Sequence, residues 1–376
     1  MLALGIAAVL PSVASAQAPT VVSMGDSAIS GEAGRWAGNT NGASSRTDAL
    51  GSTAYNDVPG AESTPGCHRS KSAEVFIGDG VQSVNLACSG ARTYTRTSDG
   101  NFKPGLDFAA DSQVQRLQAL ATTNKNIKTI VVLIGANNYG FADIVQACIV
   151  DWLTSPSWWK NYCQDDSDIA SRFTASNINL ITGQVRGAFN NIRQAMANGG
   201  YADGTYKILA QTYSAPLPTS GGMRYGETGY TRQSVGGCGV WNSDVNWARN
   251  TVVETFNNTI RNAVAGMPNV SILDMTNALA GRRLCENTVG LLEEKGVSTW
   301  QSPGAVDKSE WVQQIRTVTT IFPPYQLQED GHPNYWGQLA LRNCFRQAYN
   351  GGAVRGGTCA RGTGLNAKGE PNMALQ

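Results

Sequence analysis

The sequence predicts an α/β protein with a mainly parallel sheet, and three observations lead to that prediction. Residues Thr129–Ile134 form an apolar run after the initial threonine, as in a parallel strand buried on both faces. Apolar residues recur at three- and four-residue steps over Ile178–Met196 and again over Val245–Ile260, as in amphipathic helices. Short β-prone runs alternate with these helical segments, which favours parallel strands joined through helices.

The remaining elements follow from the same patterns. The first long helix ends at a glycine pair, Gly199-Gly200, which is a common helix stop. A loop rich in Gly, Ser, Asn and Thr is expected over Arg35–Pro65. Further strands are predicted at Thr20–Met24, Gln82–Ala87, Tyr206–Thr212 and Val270–Leu273, with a last helix at Trp336–Tyr349.

Composition excludes several classes of protein. The 376 residues are 41% hydrophobic, which excludes a disordered chain. Lys and Arg number 29 and Asp and Glu 28, so the formal net charge is +1. Because no long basic run occurs, we expect neither nucleic acid nor an anionic membrane as a partner. The chain has only two histidines, His68 and His332, and these are the two candidates for histidine chemistry.

The N-terminal segment predicts export. Leu2–Leu10 is apolar and is followed by Ala14-Ser15-Ala16, a small-residue pattern typical of signal-peptide cleavage. The apolar run is too short to span a bilayer, and a buried strand is the alternative interpretation. The usual basic start is missing, so we expect a signal peptide at residues 1–18 that is truncated at its start. One domain is expected over residues 19–350, and a Gly-rich surface tail over residues 351–376.

Cysteine usage agrees with export. An even number of cysteines beside a secretion signal favours disulfides, and C-x-x-C does not occur in the sequence. Eight cysteines allow many pairings, and each disulfide would add about 2–4 kcal/mol by constraining the unfolded chain. Pairing in chain order predicts Cys67–Cys88, Cys148–Cys163, Cys238–Cys285 and Cys344–Cys359.

Polar residues beside glycine follow three of the predicted strands. Ligands of a parallel sheet gather beyond the carboxyl ends of its strands, so these positions are candidates for chemistry. Each segment by itself is weak evidence of a functional site, because Ser often caps a helix, and Ser-Gly and Asn-Asn are common in turns. The candidate segments are Gly25-Asp26-Ser27, Cys88-Ser89-Gly90-Ala91 and Gly135-Ala136-Asn137-Asn138, with His332 following in Glu329–Asn334.

In this order and spacing the four segments resemble the GDSL, or SGNH, hydrolase superfamily, in particular its secreted actinobacterial esterases and lipases. The resemblance covers about Val21 to Tyr349. The blocks that carry it are Val22–Ser27, Leu86–Ala91, Gly135–Asn138 and His332–Asn334, which provide the Ser, Gly, Asn and His of the family name.

The resemblance implies a three-layer α/β/α sandwich with a flavodoxin-like sheet. It also implies a secreted, cofactor-independent serine esterase or lipase that works through an acyl-enzyme and holds no metal. Ser27 would be the nucleophile and His332 the general base. The oxyanion hole would consist of the backbone N–H groups of Ser27 and Gly90 and the side-chain amide of Asn137.

The sequence departs from the family pattern at three positions. An Asp often stands three residues before the His, where this chain has Glu329, followed by Asp330. Register favours Glu329 as the group that orients His332, with Asp330 or a backbone carbonyl as alternatives. Asn138 replaces an Asp, and Arg282 replaces a His in a segment that shapes the substrate site of relatives.

Several assignments remain open at this stage. His68, beside Cys67, is expected to be structural, and Asp26 is expected to brace its turn rather than serve a glycosidase. The tryptophan-rich segment between Cys148 and Cys163 is either a small core or a rim for an acyl chain or sugar. We expect a monomer acting on a small-molecule, lipid or polymeric ester. Acyl transfer and a non-catalytic polymer-binding module are the alternatives.

Overall fold

A computed structural model describes residues 17–98, 100–316 and 329–376. Of the predicted signal peptide, residues 1–16 lie outside the described residues. Within the described residues the strands are β1 (Thr20–Gly25), β2 (Gln82–Asn85), β3 (Arg96–Ser98), β4 (Asn101–Lys103), β5 (Ile127–Leu133), β6 (Lys207–Gln211), β7 (Val270–Asp274), β8 (Gly357–Leu365) and β9 (Pro371–Leu375).

The helices within the same ranges are α1 (Ser27–Ser30), α2 (Gln113–Thr123), α3 (Phe141–Thr154), α4 (Ser167–Ser171), α5 (Ala175–Asn198), α6 (Thr231–Ser234), α7 (Asn242–Trp247), α8 (Val253–Val264), α9 (Ala305–Lys308) and α10 (Tyr335–Tyr349). A π-helical turn, Ala248–Val252, joins α7 to α8. Short 3₁₀ turns lie at Ser44–Arg46, Gly51–Thr53, Ala136–Tyr139, Cys163–Asp165, Ser220–Gly222 and Asn350–Gly352.

The predicted α/β class with a mainly parallel sheet is confirmed. Seven strands form one sheet in the order β2-β1-β5-β6-β7-β8-β9, and β3 and β4 form a separate antiparallel pair. Every neighbouring pair of the large sheet is parallel except β8 and β9. Helices cover both sides of the sheet. The chain moves outward from β1 in both directions, so the topological switch point lies between β1 and β5.

The apolar patterns predict the buried faces correctly. All residues of β1 are buried, and β5 has only one residue that is not fully buried. In α5, Ile181, Val185 and Phe189 are buried on one face, and Thr174 caps the first turn by accepting from the Asn177 N–H. The helix therefore forms because a capped amphipathic stripe packs against the sheet core.

The C-terminal residues correct one expectation. Residues 351–376 do not form a surface tail: β8 pairs with β7 in parallel and β9 pairs with β8, so both extend the sheet. The disulfide Cys344–Cys359 joins α10 to β8. Glycine-rich composition suggested a loop, but backbone pairing does not depend on side-chain bulk, and Asn343 and Gln347 of α10 donate to backbone carbonyls of β9.

The predicted second long helix also differs in detail. The structure has α7, the π-helical turn and α8 where the periodicity predicts one helix. A π turn inserts a residue into the helical repeat, and such turns occur often at functional sites. Ala248, Arg249 and Val252 of this turn line the cavity described below. Among the described residues, no helix is long and apolar enough to cross a membrane.

Candidate active site

Ser27 lies at the carboxyl end of β1, where the strand turns sharply into α1. Gly25 has a positive φ of 136°, and a Cβ there would lie 1.9 Å from the Leu133 carbonyl oxygen of β5. Only glycine permits this close approach of the two strand ends. Asp26 then caps α1 by accepting from the Ala28 N–H. The turn thus presents Ser27 at the switch point of the sheet.

His332 meets Ser27 across 305 positions of sequence. Its Nε2 lies 2.7 Å from the Ser27 Oγ, within hydrogen-bonding distance. The segment that carries His332 is anchored on both sides. Gln313 donates its backbone N–H to the His332 carbonyl, and Asn334 caps α10 by accepting from Trp336 and Gly337. The Ser–His pair that the sequence blocks predict is therefore brought together.

Glu329 does not orient His332, which corrects the preference drawn from register. Its carboxylate accepts a hydrogen bond from the Trp36 Nε1 at 2.8 Å and another from the Tyr55 hydroxyl. The His332 Nδ1 instead lies 3.1 Å from the backbone carbonyl oxygen of Asp330. Because the aromatic donors of the Arg35–Pro65 segment engage the Glu329 carboxylate, the backbone-carbonyl alternative matches the geometry.

Asn137 follows β5, beside the turn that carries Ser27. Its Nδ2 donates to the Ala91 carbonyl at 3.0 Å, which leaves the second amide hydrogen for another acceptor. Asn138, the departure from the family Asp, donates to the Thr93 hydroxyl and accepts from the Thr93 N–H. Asn138 therefore ties the 3₁₀ turn after β5 to the segment that follows Gly90.

Gly90 lies in a loop held by a disulfide. Cys67–Cys88 closes just before it, and the Ser89 N–H donates to the Cys67 carbonyl at 3.0 Å. The φ of Gly90 is +73°, in the left-handed region that favours glycine. Gly90 is outside the set of residues that line the cavity, and its role as an oxyanion donor stays a prediction.

An apolar cavity of about 130 Å³ opens beside Ser27. Ser27, Asn137 and His332 lie in its wall, together with Asp26. Helix α3, the π turn and α8 together provide nine of the other lining residues. The apolar side chains of the wall include Phe141, Ile144, Val145, Leu217, Val240, Ala248, Val252, Val253, Phe256, Leu284 and Ile315. None of them comes from the Arg35–Pro65 loop.

Burial sets the ionisation of the site. Burial lowers the pKa of His332, and the negative charge of Glu32 and the Asp330 carbonyl only partly offset this effect. A neutral imidazole is the form that can accept a proton from a serine hydroxyl. Burial also raises the pKa of Asp26 to about 7, against hydrogen bonds from Tyr213 and the Ala28 N–H.

Tyr213 is a site residue that the sequence analysis missed. It lies just beyond β6, its hydroxyl donates to the Asp26 carboxylate, and that oxygen accepts from the Ala136 N–H at 3.0 Å. Tyr213 therefore links the turns after β1 and β5. The rule that polar residues at strand ends are candidates would have found it, since it follows the predicted strand directly.

His68 and Glu32 form a buried pair outside the cavity wall. The His68 Nδ1 lies 3.0 Å from one Glu32 carboxylate oxygen and 2.9 Å from the other, and both side chains are almost fully buried. The ring of His68 also contacts Tyr55, with centroids 5.5 Å apart. The expected structural role of His68 agrees with this environment, while no sequence pattern indicated Glu32 as its partner.

The other candidates fall in different places. The eight cysteines form the four pairs that chain order predicts. Arg282 binds Asp307 at 3.0 Å and is not in the cavity wall, whereas the neighbouring Leu284 is. Within the described ranges, no three potential metal-ligating side chains come together.

Comparison with known proteins finds similar solved structures but no matching family. No family model and no curated protein matches the chain. Among solved structures, the chain is similar to an extracellular lipase from Streptomyces rimosus, at 16% identity over 88% of this chain and 100% of that one, with a TM-score of 0.47. It is also similar to a phospholipase A1 from Streptomyces albidoflavus NA297, at 15% identity over 90% and 100%, with a TM-score of 0.48.

A further similar structure is a carbohydrate acetylesterase from Sinorhizobium meliloti, at 10% identity over 68% of this chain and 83% of that one, with a TM-score of 0.31. In the order of its four sequence blocks and in the class of its fold, the chain resembles the SGNH hydrolases.

Proposed function

We propose that this chain is a secreted serine hydrolase that cleaves carboxylic esters without a cofactor. The observation that carries the proposal is the 2.7 Å contact between the Ser27 Oγ and the His332 Nε2 in the wall of an apolar cavity. A serine hydroxyl becomes a useful nucleophile when a base within hydrogen-bonding reach can accept its proton. The lowered pKa of His332 supports that role, because it keeps the imidazole neutral near pH 7.

The reaction follows from this geometry in two halves. Ser27 Oγ attacks the ester carbonyl while His332 Nε2 takes the hydroxyl proton. His332 then protonates the departing alcohol, which leaves an acyl group on Ser27. In the second half His332 activates water, which releases the acid. The Asp330 carbonyl accepts from Nδ1–H and thereby favours the tautomer with Nε2 free to accept.

The developing oxyanion needs donors that are already in place. In this mechanism the donors are the N–H groups of Ser27 and Gly90 and the free amide hydrogen of Asn137. The bond from Asn137 to the Ala91 carbonyl supports the role, because it fixes the amide beside the Gly90 loop. Removing one such donor typically costs about 10²–10³-fold in kcat.

The cavity favours an ester with an extended acyl chain over an acetylated sugar. Its wall beyond Ser27, Asn137 and His332 is mostly aliphatic and aromatic. Each buried CH₂ contributes about 0.8 kcal/mol, whereas sugar hydroxyls placed there would lose their hydrogen bonds to water. The four disulfides support secretion, since such bonds form and persist in oxidising compartments.

The proposal is tested with Ser27→Ala and His332→Ala on p-nitrophenyl esters of increasing chain length. We expect both variants to lose hydrolysis, and Ser27→Ala also to lose labelling by a fluorophosphonate probe. Ser214→Ala is the matched control, because Ser214 also lies in the cavity wall. Full activity of folded Ser27→Ala would refute the proposal. Product analysis with competing alcohols separates hydrolysis from acyl transfer.

A further inference from the structure

The three most exposed large apolar side chains of the described residues are aromatic. Trp158 is 81% exposed, Trp159 is 75% exposed and Tyr230 is 71% exposed. We call these three residues the aromatic patch. The two tryptophans lie in the loop closed by Cys148–Cys163, which we call the aromatic loop. Tyr230 immediately precedes α6. Isolated exposed apolar residues are ordinary, but several large aromatic side chains on one face indicate a binding surface.

The aromatic patch rests on a firmly packed base. Trp152, which is buried, contacts the rings of both Tyr230 and Trp241, with centroids 6.1 Å and 6.0 Å apart. The Trp241 Nε1 donates to the Ser155 hydroxyl at 3.1 Å, just before the exposed tryptophans. The exposed side chains of the aromatic patch therefore lie next to residues that are themselves packed and hydrogen-bonded.

The aromatic patch adjoins the cavity. Helix α3 contributes Ile144, Val145 and Cys148 to the cavity wall and continues directly into the aromatic loop. Cys148 takes part in both features, because its disulfide closes that loop. A second link runs through Val240, which lies in the cavity wall and directly precedes Trp241 of the packed base. A surface that covers the aromatic patch would thus lie beside the cavity that holds Ser27.

The charges around the aromatic patch do not favour an anionic partner surface. Lys160 lies over the Trp241 ring and is paired with Glu227, so its charge is already neutralised. Asp165 and Asp166 follow the aromatic loop in sequence, and Asp168 beyond them is paired with Arg172. Acidic groups repel anionic lipids, and tryptophan and tyrosine favour positions where an apolar phase meets water. The chemistry fits a lipid surface with no net charge.

We propose that the aromatic patch docks the protein on a zwitterionic lipid surface, with the cavity facing that surface. Docking would let an ester enter the cavity from the lipid without full exposure of its acyl chain to water. The claim about the route of the substrate rests on the proposed function, whereas docking itself does not require hydrolysis. Both can therefore be measured separately.

Docking is tested by co-sedimentation of the full chain with phosphatidylcholine vesicles, using Ser27→Ala protein so that no lipid is consumed. We expect binding that the added pair Trp158→Ala and Trp159→Ala weakens about tenfold or more, given the apolar area removed. Leu180→Ala is the matched control, because Leu180 is 59% exposed but lies on α5. It should bind as tightly as its parent.

The route of the substrate is tested with the same tryptophan pair in otherwise unchanged protein. Hydrolysis of a soluble short-chain p-nitrophenyl ester should stay within about twofold, while hydrolysis of a long-chain ester carried in phosphatidylcholine vesicles falls with vesicle binding. Equal vesicle binding with and without the tryptophans would overturn the proposal. So would binding that needs phosphatidylglycerol, or binding to insoluble glycan in place of vesicles. If the unchanged protein binds vesicles but hydrolyses no ester, only the proposed function would be refuted.

Discussion

The two histidines of this chain lie in neighbouring regions and are held in opposite ways. His68 is buried against the Glu32 carboxylate, within 3.0 Å. His332 has neutral partners, the Ser27 hydroxyl and the Asp330 carbonyl. Burial alone would lower both pKa values, but the charge and hydrogen bond of Glu32 outweigh it at His68, whose pKa is raised. The pKa of His332 stays lowered.

The comparison shows what selects a histidine for proton transfer. A carboxylate partner stabilises the imidazolium and turns the residue into half of an ion pair. A carbonyl partner fixes the ring and leaves it neutral, so that it can accept a proton near pH 7. The structure thus separates His68, which is paired with a carboxylate, from His332, which has neutral partners and is proposed to be the reactive histidine. The predictions below test that separation.

The largest difference is expected in activity. His332→Gln should reduce kcat/KM for a soluble p-nitrophenyl ester by about 10⁴-fold or more, because the base is lost. His68→Gln should reduce it by less than about tenfold per folded molecule, since His68 lies outside the cavity wall. Active-site titration with a fluorophosphonate corrects for unfolded protein. Comparable losses in the two variants would contradict the separation.

The next effect concerns stability. Glu32→Gln should lower the free energy of unfolding by about 3–5 kcal/mol near pH 6, because removing one partner of a buried pair is strongly destabilising. The raised pKa of His68 means that its contribution is complete below the unfolded value, near 6.5, and is lost as pH rises through the folded value. The lowered pKa of Glu32 means that its contribution is lost as pH falls below 4.5.

The difference in the free energy of unfolding between unchanged protein and Glu32→Gln should therefore shrink from pH 6 to pH 8. Urea unfolding followed by tryptophan fluorescence measures it at each pH. Ser214→Ala serves as a control with an intact pair. A difference that grows with rising pH would show that the pair does not carry the charges inferred here.

A smaller effect, confined to the His332 region, is expected from Asn137. Asn137→Ala should lower kcat by about 10²–10³-fold with little change in stability, because a transition-state donor is removed. Asn138→Ala is the neighbouring control and should mainly lower stability, since its bonds brace the Thr93 segment. A kcat loss in Asn138→Ala as large as that in Asn137→Ala would argue against a specific donor.

The smallest effect is expected where the two regions meet. Tyr55 packs on His68 and donates to Glu329, which is three residues before His332. Glu329→Gln keeps an acceptor for Tyr55 and Trp36, so kcat/KM should change by less than about threefold. Its pH profile should match that of unchanged protein, with activity lost as pH falls below the lowered pKa of His332. A profile displaced by Glu329→Gln would restore Glu329 as the orienting group.

Some features follow from local sequence because local physics decides them. Apolar runs such as Thr129–Ile134 have little alternative to burial, and periodic stripes such as Ile178–Met196 have one helical face to bury. The sequence blocks at the strand ends are local as well, and parallel topology brings consecutive strand ends to one edge. This reasoning places Ser27 and Asn137 at one edge of the sheet, whereas His332 was selected by the resemblance of the four blocks to the SGNH hydrolases.

Tertiary structure decided what depends on competition between distant groups. Glu329 lies at the sequence position expected of an orienting carboxylate. Its oxygens instead accept hydrogen bonds from Trp36 and Tyr55, which lie in a segment about 300 residues earlier. The Gly-rich C-terminal residues belong to the sheet because β8 pairs with β7, and only the tertiary structure shows that pairing. Local pattern selected the residues that are proposed to carry chemistry. Long-range hydrogen bonds decided their partners, because a buried polar group takes whichever partner the fold brings nearest.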